Sequence, residues 1–249
     1  MKLLLIGAGN MGSAILKNLI NYNITVVEKN QKRTEELKWL YPDITFLSTP
    51  PEITDYVVIL AVKPQVLDTL ELRGRAFALI SILAGVPLST LKYKVQAKYY
   101  IRAMPNIAAL RQKSVTSLTG DIEFKEGAIE ILSSIGKTIW LNSEKELDIA
   151  TGLAGSSPAW LALVAEALSD GAVALGLPRE KAYEYLPMLF EGVGALLEDQ
   201  HPAILKDKVM SPAGTTACGY AKLEEGGVRN SFIEAIKSAY QRSQELRKG

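Results

Sequence analysis

Gly7-Ala8-Gly9-Asn10-Met11-Gly12 follows a short apolar run and precedes a stretch with helical spacing of its apolar residues. The order strand, G-x-G-x-x-G, helix is typical of a βαβ unit that binds a dinucleotide. The first glycine permits the tight turn, the second lets a pyrophosphate approach the backbone, and the third lets helix and strand pack closely. A glycine-rich turn without a ligand is the alternative, but the flanking strand and helix favour nucleotide binding.

Beyond this loop, the first part of the chain alternates short apolar runs with helical patterns, which predicts a mostly parallel α/β sheet. Helices are expected at 10–19 and 31–40. Eight strands are expected, at 3–6, 24–27, 44–47, 56–61, 77–82, 98–102, 115–118 and 138–141.

The pattern changes near residue 143, where Ser143 and Glu146 have the spacing of a capping box. No convincing strand follows. Helices are expected at 158–177, 178 to about 200 with a kink at Pro187, about 215–225, and 230–246. We therefore predict an α/β Rossmann-type dinucleotide-binding domain in residues 1–143, followed by an all-α substrate-binding and dimerisation domain in residues 144–249. The apolar helices, rich in small residues, would be poorly covered in a monomer, so a homodimer is expected.

Composition excludes several classes of protein. The net charge of +1 gives no basic excess with which to bind nucleic acid or a membrane surface. One cysteine and one histidine leave no disulfide framework and no cysteine-based metal site, so no metal is expected. Glu166 and Asp170 interrupt the longest apolar run, which argues against a membrane span, and no signal peptide is evident. These features indicate a cytoplasmic protein.

The ends of the predicted strands supply the candidate cofactor contacts. Glu28 ends the second strand, where an acid binds ribose hydroxyls and favours NADH, yet Lys29, Asn30, Lys32 and Arg33 follow and can hold a 2′-phosphate. The choice between NADH and NADPH therefore stays open. The candidate cofactor-binding residues are Gly7, Gly9, Asn10, Met11, Gly12, Glu28, Lys29, Asn30, Ala61, Val62, Lys63, Pro64 and Asn106. Lys63 has a second interpretation, as a solvent-facing turn residue.

A second candidate site lies near the C-terminus, in Ser211-Pro212-Ala213-Gly214-Thr215-Thr216. The stretch predicts a tight loop that leads into a helix. Hydroxyl groups and free backbone N–H groups at the positive end of a helix dipole suit a small anion such as a carboxylate. A cofactor site at one end of the chain and a carboxylate site at the other indicate an enzyme with a small carboxylated substrate.

In this order, the motifs resemble those of the pyrroline-5-carboxylate reductase family. The matching stretches cover nearly the whole chain and are GAGNMGSAI (7–15), AVKP (61–64), RAMPN (102–106), GLAGSSPAW (152–160) and DKVMSPAGTTACGYAKLEEGGVR (207–229). Many dinucleotide enzymes share the first stretch, whereas the last is close to the family signature.

The resemblance implies reduction of L-Δ1-pyrroline-5-carboxylate to L-proline by a hydride from NADPH or NADH. It implies that the loop holds the substrate carboxylate and that the Thr216 hydroxyl hydrogen-bonds the imine nitrogen. Catalytic roles then fall to Thr216 and Ser211, and substrate binding to Met210, Ala213, Gly214, Thr215 and Thr216. Asp199 is expected near the substrate nitrogen, although an exposed helix-end carboxylate is an equal alternative. Helices that interleave between two subunits, sometimes in larger rings, are also implied.

Three segments depart from the family pattern. Ala213-Gly214 stands where the family usually has Gly-Gly, Tyr220 replaces an aliphatic residue, and Ser157 and Trp160 replace glycine and tyrosine. The added methyl group at Ala213 matters if that position needs a positive φ. Cys218 is expected to be buried.

Three alternatives remain. A related imine reductase would share the same motifs. β-Hydroxyacid dehydrogenases have the same domain layout and resemble one another in a catalytic lysine on the helix after the domain junction. No lysine lies between Lys145 and Lys181 here, which argues against this alternative. A non-catalytic paralogue would bind nucleotide without turnover, and the intact 211–216 loop argues against it.

Overall fold

The computed structural model describes residues 1–247 and divides the chain into two compact units. The first unit contains residues 1–156 together with the C-terminal segment from Lys237, and the second contains residues 157–236. Each unit is described by itself below.

The first unit alternates strands and helices up to residue 140. Its strands are β1 (Lys2–Ile6), β2 (Asn23–Val27), β3 (Thr45–Leu47), β4 (Tyr56–Leu60), β5 (Ala76–Ser81), β6 (Ala97–Met104), β7 (Ser114–Gly120) and β8 (Gly136–Trp140). Its helices are α1 (Asn10–Asn18), α2 (Gln31–Leu40), α3 (Leu88–Lys94), α4 (Lys125–Leu132) and α5 (Glu144–Ala150). The eight predicted strands are confirmed, with shifts of one or two residues at most ends.

The strands form one sheet in the order β3-β2-β1-β4-β5-β6-β7-β8. All neighbours are parallel except β6 and β7. The first six strands have the doubly wound order whose direction reverses between β1 and β4. Ile6 pairs with Val27 on one side and with Leu60 on the other, so three strands end together at this reversal.

Apolar side chains cover both faces of the sheet, as expected for parallel strands buried on two sides. Leu3 and Leu5 of β1 pack in a cluster with Ile15 of α1, whereas Leu4 and Ile6 pack in a second cluster with Leu91 of α3. The continuous apolar run of β1 is thus divided between two cores, which fixes the position of the loop that follows it.

Helical structure continues without interruption from α5 into the second unit. Ser143 caps α5, and its Oγ accepts from Glu146 N at 3.2 Å, which confirms the predicted helix start. A π-helical segment, Thr151–Ser156, then leads into α6 (Ser157–Ala174). Pro158 cannot donate to the carbonyl of Ala154 four residues earlier, and the backbone widens to a π-helix just before it.

The second unit is helical and little of it is buried. After α6 come α7 (Arg179–Asp199), α8 (Pro202–Val209) and α9 (Thr215–Glu225), while α10 (Val228–Leu246) begins here and ends in the first unit. Of residues 157–236, all of which the structure describes, just Ser169 and Ala182 are buried. Large apolar side chains such as Leu175 (92%) and Met188 (68%) are exposed.

One helical stretch of the described chain, Glu144–Ala174, is long and apolar enough to cross a membrane by length and composition. Of its apolar 18-residue segment, 17% is buried. This is weak evidence by itself, because an apolar helix covered by another subunit has the same composition. The expectation that this segment is not a membrane span stays a prediction.

The structure corrects several local predictions, and it adds the helices α3 and α4, which were not expected. The helix expected at 158–177 ends at Ala174, because Gly176 turns the chain with φ +101°. The helix α8 was missed, and His201 caps its start through Nδ1, which accepts from Ala203 N at 3.3 Å. Cys218 is exposed rather than buried. A 3₁₀ helix, Pro64–Thr69, follows β4 where no element was expected.

Candidate functional site

The three glycines of the first loop have three different environments. Gly7 has φ +95°, and a Cβ there would lie 2.8 Å from Ala61 O. A Cβ at Gly12 would lie 2.1 Å from Gly7 O, so helix and loop touch at this point. A Cβ at Gly9 would meet nothing within 4 Å. The tight turn and the close packing are therefore as predicted, and the middle glycine leaves open space for a ligand.

The loop also exposes the start of α1 to an anion. Gly9 is the N-cap residue and provides no side-chain hydrogen bond to the first turn, which contains no acidic residue. Unpaired N–H groups at a helix N-terminus favour negative charge. The residues present therefore fit a cofactor pyrophosphate.

A cavity of about 280 Å³ lies at the carboxyl ends of β1, β2 and β4. Seven of the predicted cofactor residues line it, namely Gly7, Gly9, Glu28, Lys29, Ala61, Val62 and Lys63. Five further lining residues were not predicted: Ile6, Val27, Pro50, Val66 and Leu70. Val66 and Leu70 belong to the unpredicted 3₁₀ helix and its end, for which Pro64 at the first position was the available sequence signal.

The remaining predicted cofactor residues do not line this cavity. Asn10, Met11 and Gly12 lie in the first turn of α1, Asn30 caps α2, and Pro64 begins the 3₁₀ helix. Asn106 lies after β6, and its side chain is engaged on both sides: Oδ1 accepts from Ala108 N at 3.0 Å and Nδ2 donates to Ala154 O at 3.0 Å. Asn106 therefore donates to a carbonyl of the π-helical segment, to which Pro158 has no N–H to give.

A buried ionic network lies four residues before Asn106 and was not expected from the sequence. Arg102 is 1% exposed, and its guanidinium contacts Glu144 Oε1 at 2.7 Å and Asp148 Oδ1 at 3.2 Å. Arg247 contacts the same two carboxylates, at 3.2 and 3.0 Å. β6, α5 and the C-terminal segment are thereby tied together, and with Asn106 they hold the π-helical segment.

Glu28, Ala8 and Arg33 form a connected set beside the glycine loop. The two Glu28 carboxylate oxygens accept from Ala8 N at 2.9 Å and from Asn30 N at 2.8 Å. Arg33 Nε donates to Ala8 O at 3.2 Å and Nη2 donates to Ser13 Oγ at 2.7 Å. The acid predicted to mark the ribose site is thus held by the loop backbone itself.

The second candidate site, in the second unit, is the turn from Ser211 into α9. Gly214 N donates to Ser211 O at 3.0 Å, and Ala213 has φ +53°. A residue with a methyl group therefore has a positive φ here. Such a conformation costs about 1–2 kcal/mol for a non-glycine residue. Strain of this kind concentrates at ligand-binding segments.

The start of α9 is free to hold an anion in the single chain. Gly214 is its N-cap residue and makes no side-chain cap, and the first turn contains no acidic residue. Ser211, Ala213, Thr215 and Thr216 are exposed, and Met210 is partly buried. Asp199 is an exposed carboxylate at the end of α7.

Behind this turn, Tyr220 takes part in a polar cluster that the sequence did not predict. Its hydroxyl donates to Glu224 and accepts from Arg229 Nη2 at 2.6 Å, and Lys206 Nζ lies 4.9 Å from the ring centroid. Hydrogen bonds from Arg229 and then Tyr220 lower the pKa of Glu224. The cluster joins α8, α9 and the start of α10. Tyr220 thus links α9, which follows the candidate substrate loop, to α8 and to the start of α10.

Comparison with known proteins finds matches for both parts of the chain. Residues 144–246 match the model described as pyrroline-5-carboxylate reductase dimerisation, and residues 2–85 match that of NADP oxidoreductase, coenzyme F420-dependent. A pyrroline-5-carboxylate reductase of a Synechocystis species is 38% identical over 98% of this chain and 97% of its own length. That of Thermus thermophilus is 34% identical over 99% and 98%. The crystal structure of 1-pyrroline-5-carboxylate reductase from Streptococcus pyogenes matches with a TM-score of 0.85 and 30% identity over 98% of both chains.

The matches to these relatives extend over nearly the full length of the chain. The chain therefore belongs to the pyrroline-5-carboxylate reductase family, whose members are NAD(P)H-dependent oxidoreductases that act on a C=N bond.

Proposed function

We propose that this chain reduces L-Δ1-pyrroline-5-carboxylate to L-proline at the two candidate sites described above. The observation that carries the proposal is the turn at 211–216, where Ala213 has a positive φ and the start of α9 has no side-chain cap, in a member of this family. NADH or NADPH supplies the hydride that adds to the imine carbon.

The first unit binds and orients the cofactor in this account. Gly9 leaves the space that a pyrophosphate needs, Gly7 and Gly12 shape the turn, and the first turn of α1 supplies N–H groups. The proposed cofactor-binding set is Gly7, Gly9, Asn10, Met11, Gly12, Glu28, Lys29, Asn30, Ala61, Val62, Lys63, Pro64 and Asn106. The side-chain amide of Asn106 can offer the cofactor just its second N–H, because the first donates to Ala154 O.

The 211–216 turn binds and orients the substrate. Backbone N–H groups at Thr215 and Thr216 hold the carboxylate. Gly214, whose N–H donates to Ser211 O, shapes the turn, with Met210, Ser211 and Ala213 around the carboxylate. The Thr216 hydroxyl hydrogen-bonds the imine nitrogen, and Asp199 stabilises the protonated imine. A protonated imine is electrophilic already, so alignment of donor and acceptor carbons is the main requirement.

In this proposal, the helical region also forms the interface between two subunits. Its exposed apolar residues, such as Leu175 and Met188, become covered in a homodimer, and residues 144–246 are the part that matches a dimerisation model. We propose that the functional boundary between cofactor and substrate domains lies at 143/144, immediately before the Ser143 cap. A cytoplasmic location fits a family of this chemistry.

Thr216→Ala and Thr216→Ser test the substrate site. The alanine variant loses the hydroxyl, and general hydrogen-bonding roles of this kind are worth about 10²–10³ in turnover. We expect kcat to fall with cofactor Kd nearly unchanged, and the serine variant to recover most of the loss. Equal losses of turnover and cofactor affinity in the alanine variant would place Thr216 in the fold rather than in the site.

A further inference from the structure

We propose that Glu28 discriminates against the 2′-phosphate of NADPH, so that NADH is the preferred reductant of this chain. The inference rests on the proposed function, because it concerns the cofactor of that reaction. It depends on three features of the turn between β2 and α2.

First, backbone N–H groups at this turn are already paired with an acid of the chain. Phosphates bind where backbone N–H groups are free at a helix N-terminus. At the start of α2, Glu28 Oε1 accepts from Asn30 N at 2.8 Å, and Asn30 Oδ1 accepts from Arg33 N at 3.0 Å. Glu28 Oε2 accepts from Ala8 N at 2.9 Å. Carboxylate and amide oxygens therefore occupy the anion position of this turn.

Second, the arginine in the turn is engaged with other groups. Arg33 uses Nε for Ala8 O, Nη2 for Ser13 Oγ and Nη1 for Glu36 Oε2, at 3.2, 2.7 and 3.0 Å. All three guanidinium nitrogens thus have protein acceptors. Three of its five N–H donors therefore bind protein acceptors, and a phosphate could use just the two remaining donors without displacing these partners.

Third, Glu28 is half-buried and lines the same cavity as Gly7 and Gly9. A carboxylate there accepts a hydrogen bond from a ribose 2′-hydroxyl. A 2′-phosphate offers no such donor and has about two negative charges at neutral pH. Repulsion at contact distance predicts about 10- to 100-fold tighter binding of NADH than of NADPH. Lys29 and Lys32 are exposed cations that favour the opposite result.

The test is direct titration of both reduced cofactors by nicotinamide fluorescence, without substrate. We compare the unmodified protein with Glu28→Gln and with the control Glu35→Gln, which removes the same charge from an exposed position one turn into α2. We expect Glu28→Gln to lower the ratio of the NADPH Kd to the NADH Kd by about tenfold or more. Glu35→Gln should leave that ratio unchanged. Thermal melts confirm that each variant is folded.

A second measurement needs no variant. Competition by 5′-AMP and by adenosine 2′,5′-bisphosphate isolates the ribose subsite, and 5′-AMP should displace NADH more effectively. Equal or tighter binding of NADPH by the unmodified protein, or an unchanged Kd ratio in folded Glu28→Gln, would overturn the inference. Turnover with either cofactor would then leave the proposed function intact. Failure of both cofactors to bind would overturn the inference and the proposed function together.

Discussion

Gly9→Val separates cofactor binding from folding more cleanly than other changes in the glycine loop. Gly9 has φ −66° and ψ −163°, an extended conformation that a β-branched residue adopts. Its Cβ would meet nothing within 4 Å. We therefore expect a folded protein whose thermal midpoint stays near that of the unmodified chain, with a side chain in the space proposed for the pyrophosphate.

The magnitude follows from the hydrogen bonds that this side chain would prevent. A hydrogen bond to a charged group contributes about 1.5–3 kcal/mol, so the loss of two phosphate contacts costs about 3–6 kcal/mol. This corresponds to a loss of affinity of about 100-fold or more. Fluorescence titration with NADH measures the loss, and thermal melting measures stability.

Gly12→Ala is the matched control, because it adds a smaller group where there is no room. Its Cβ would lie 2.1 Å from the backbone oxygen of Gly7, so helix and loop must separate. We expect this variant to lower the melting temperature, unlike Gly9→Val. Unchanged NADH affinity in Gly9→Val, or an unchanged melting temperature in Gly12→Ala, would refute the roles assigned to these glycines.

Three further predictions concern positions outside the glycine loop. Ala213→Gly removes about 1–2 kcal/mol of strain and adds about 0.4–1 kcal/mol of unfolded-chain entropy. It should therefore stabilise the protein by about 1 kcal/mol or less, and a lower free energy of unfolding in urea would contradict the strain. Arg102→Ala leaves the buried Asp148 and the partly buried Glu144 with one cation fewer and should cost about 3 kcal/mol. The more exposed pair lost in Lys92→Ala should cost less than about 1 kcal/mol. Equal costs in denaturant melts would contradict this distinction. Because its pKa is lowered, Glu224 contributes stability above the ordinary glutamate pKa that is lost as pH falls through the lowered value. Glu224→Gln should therefore lower the melting temperature at neutral pH and have little effect in acid, and a uniform effect at all pH values would contradict it.

Sequence patterns predicted the elements that depend on local chemistry. The β1 run is apolar because both faces of the strand are buried, and α2 begins and ends at the predicted residues, with Asn30 as its cap. The capping box at Ser143 likewise marked the start of α5. In each case the neighbours in sequence determine the structure, so reading the sequence was sufficient.

The features that the sequence missed depend on residues far apart in the chain. The Arg102 network joins positions more than 40 residues from one another, and no local pattern indicates such a pairing. Asn106 was expected to contact the cofactor, but its amide also donates to the Ala154 carbonyl, 48 residues away in the chain. Cys218 was expected to be buried by its position after the loop, and this prediction failed in the single chain, where the helical unit buries few side chains.

For the candidate site, the motifs identified which residues to consider, and the structure added their conformations. From the sequence, the methyl group of Ala213 was expected to matter if that position has a positive φ, and the structure gives it a positive φ. The glycine spacing predicted three roles, and the environments of Gly7, Gly9 and Gly12 match them. The cofactor preference could not be predicted, because it depends on whether Glu28 or the neighbouring cations face the ribose.

The most direct test of the account is oxidation of NADH and of NADPH by the purified protein with L-Δ1-pyrroline-5-carboxylate, each cofactor in a separate assay, with L-proline measured as product. We expect turnover with one L-proline formed for each cofactor molecule oxidised, and faster at limiting NADH than at limiting NADPH. Saturable cofactor binding without L-proline formation from either cofactor would contradict the proposed reaction and favour another imine substrate or a non-catalytic paralogue.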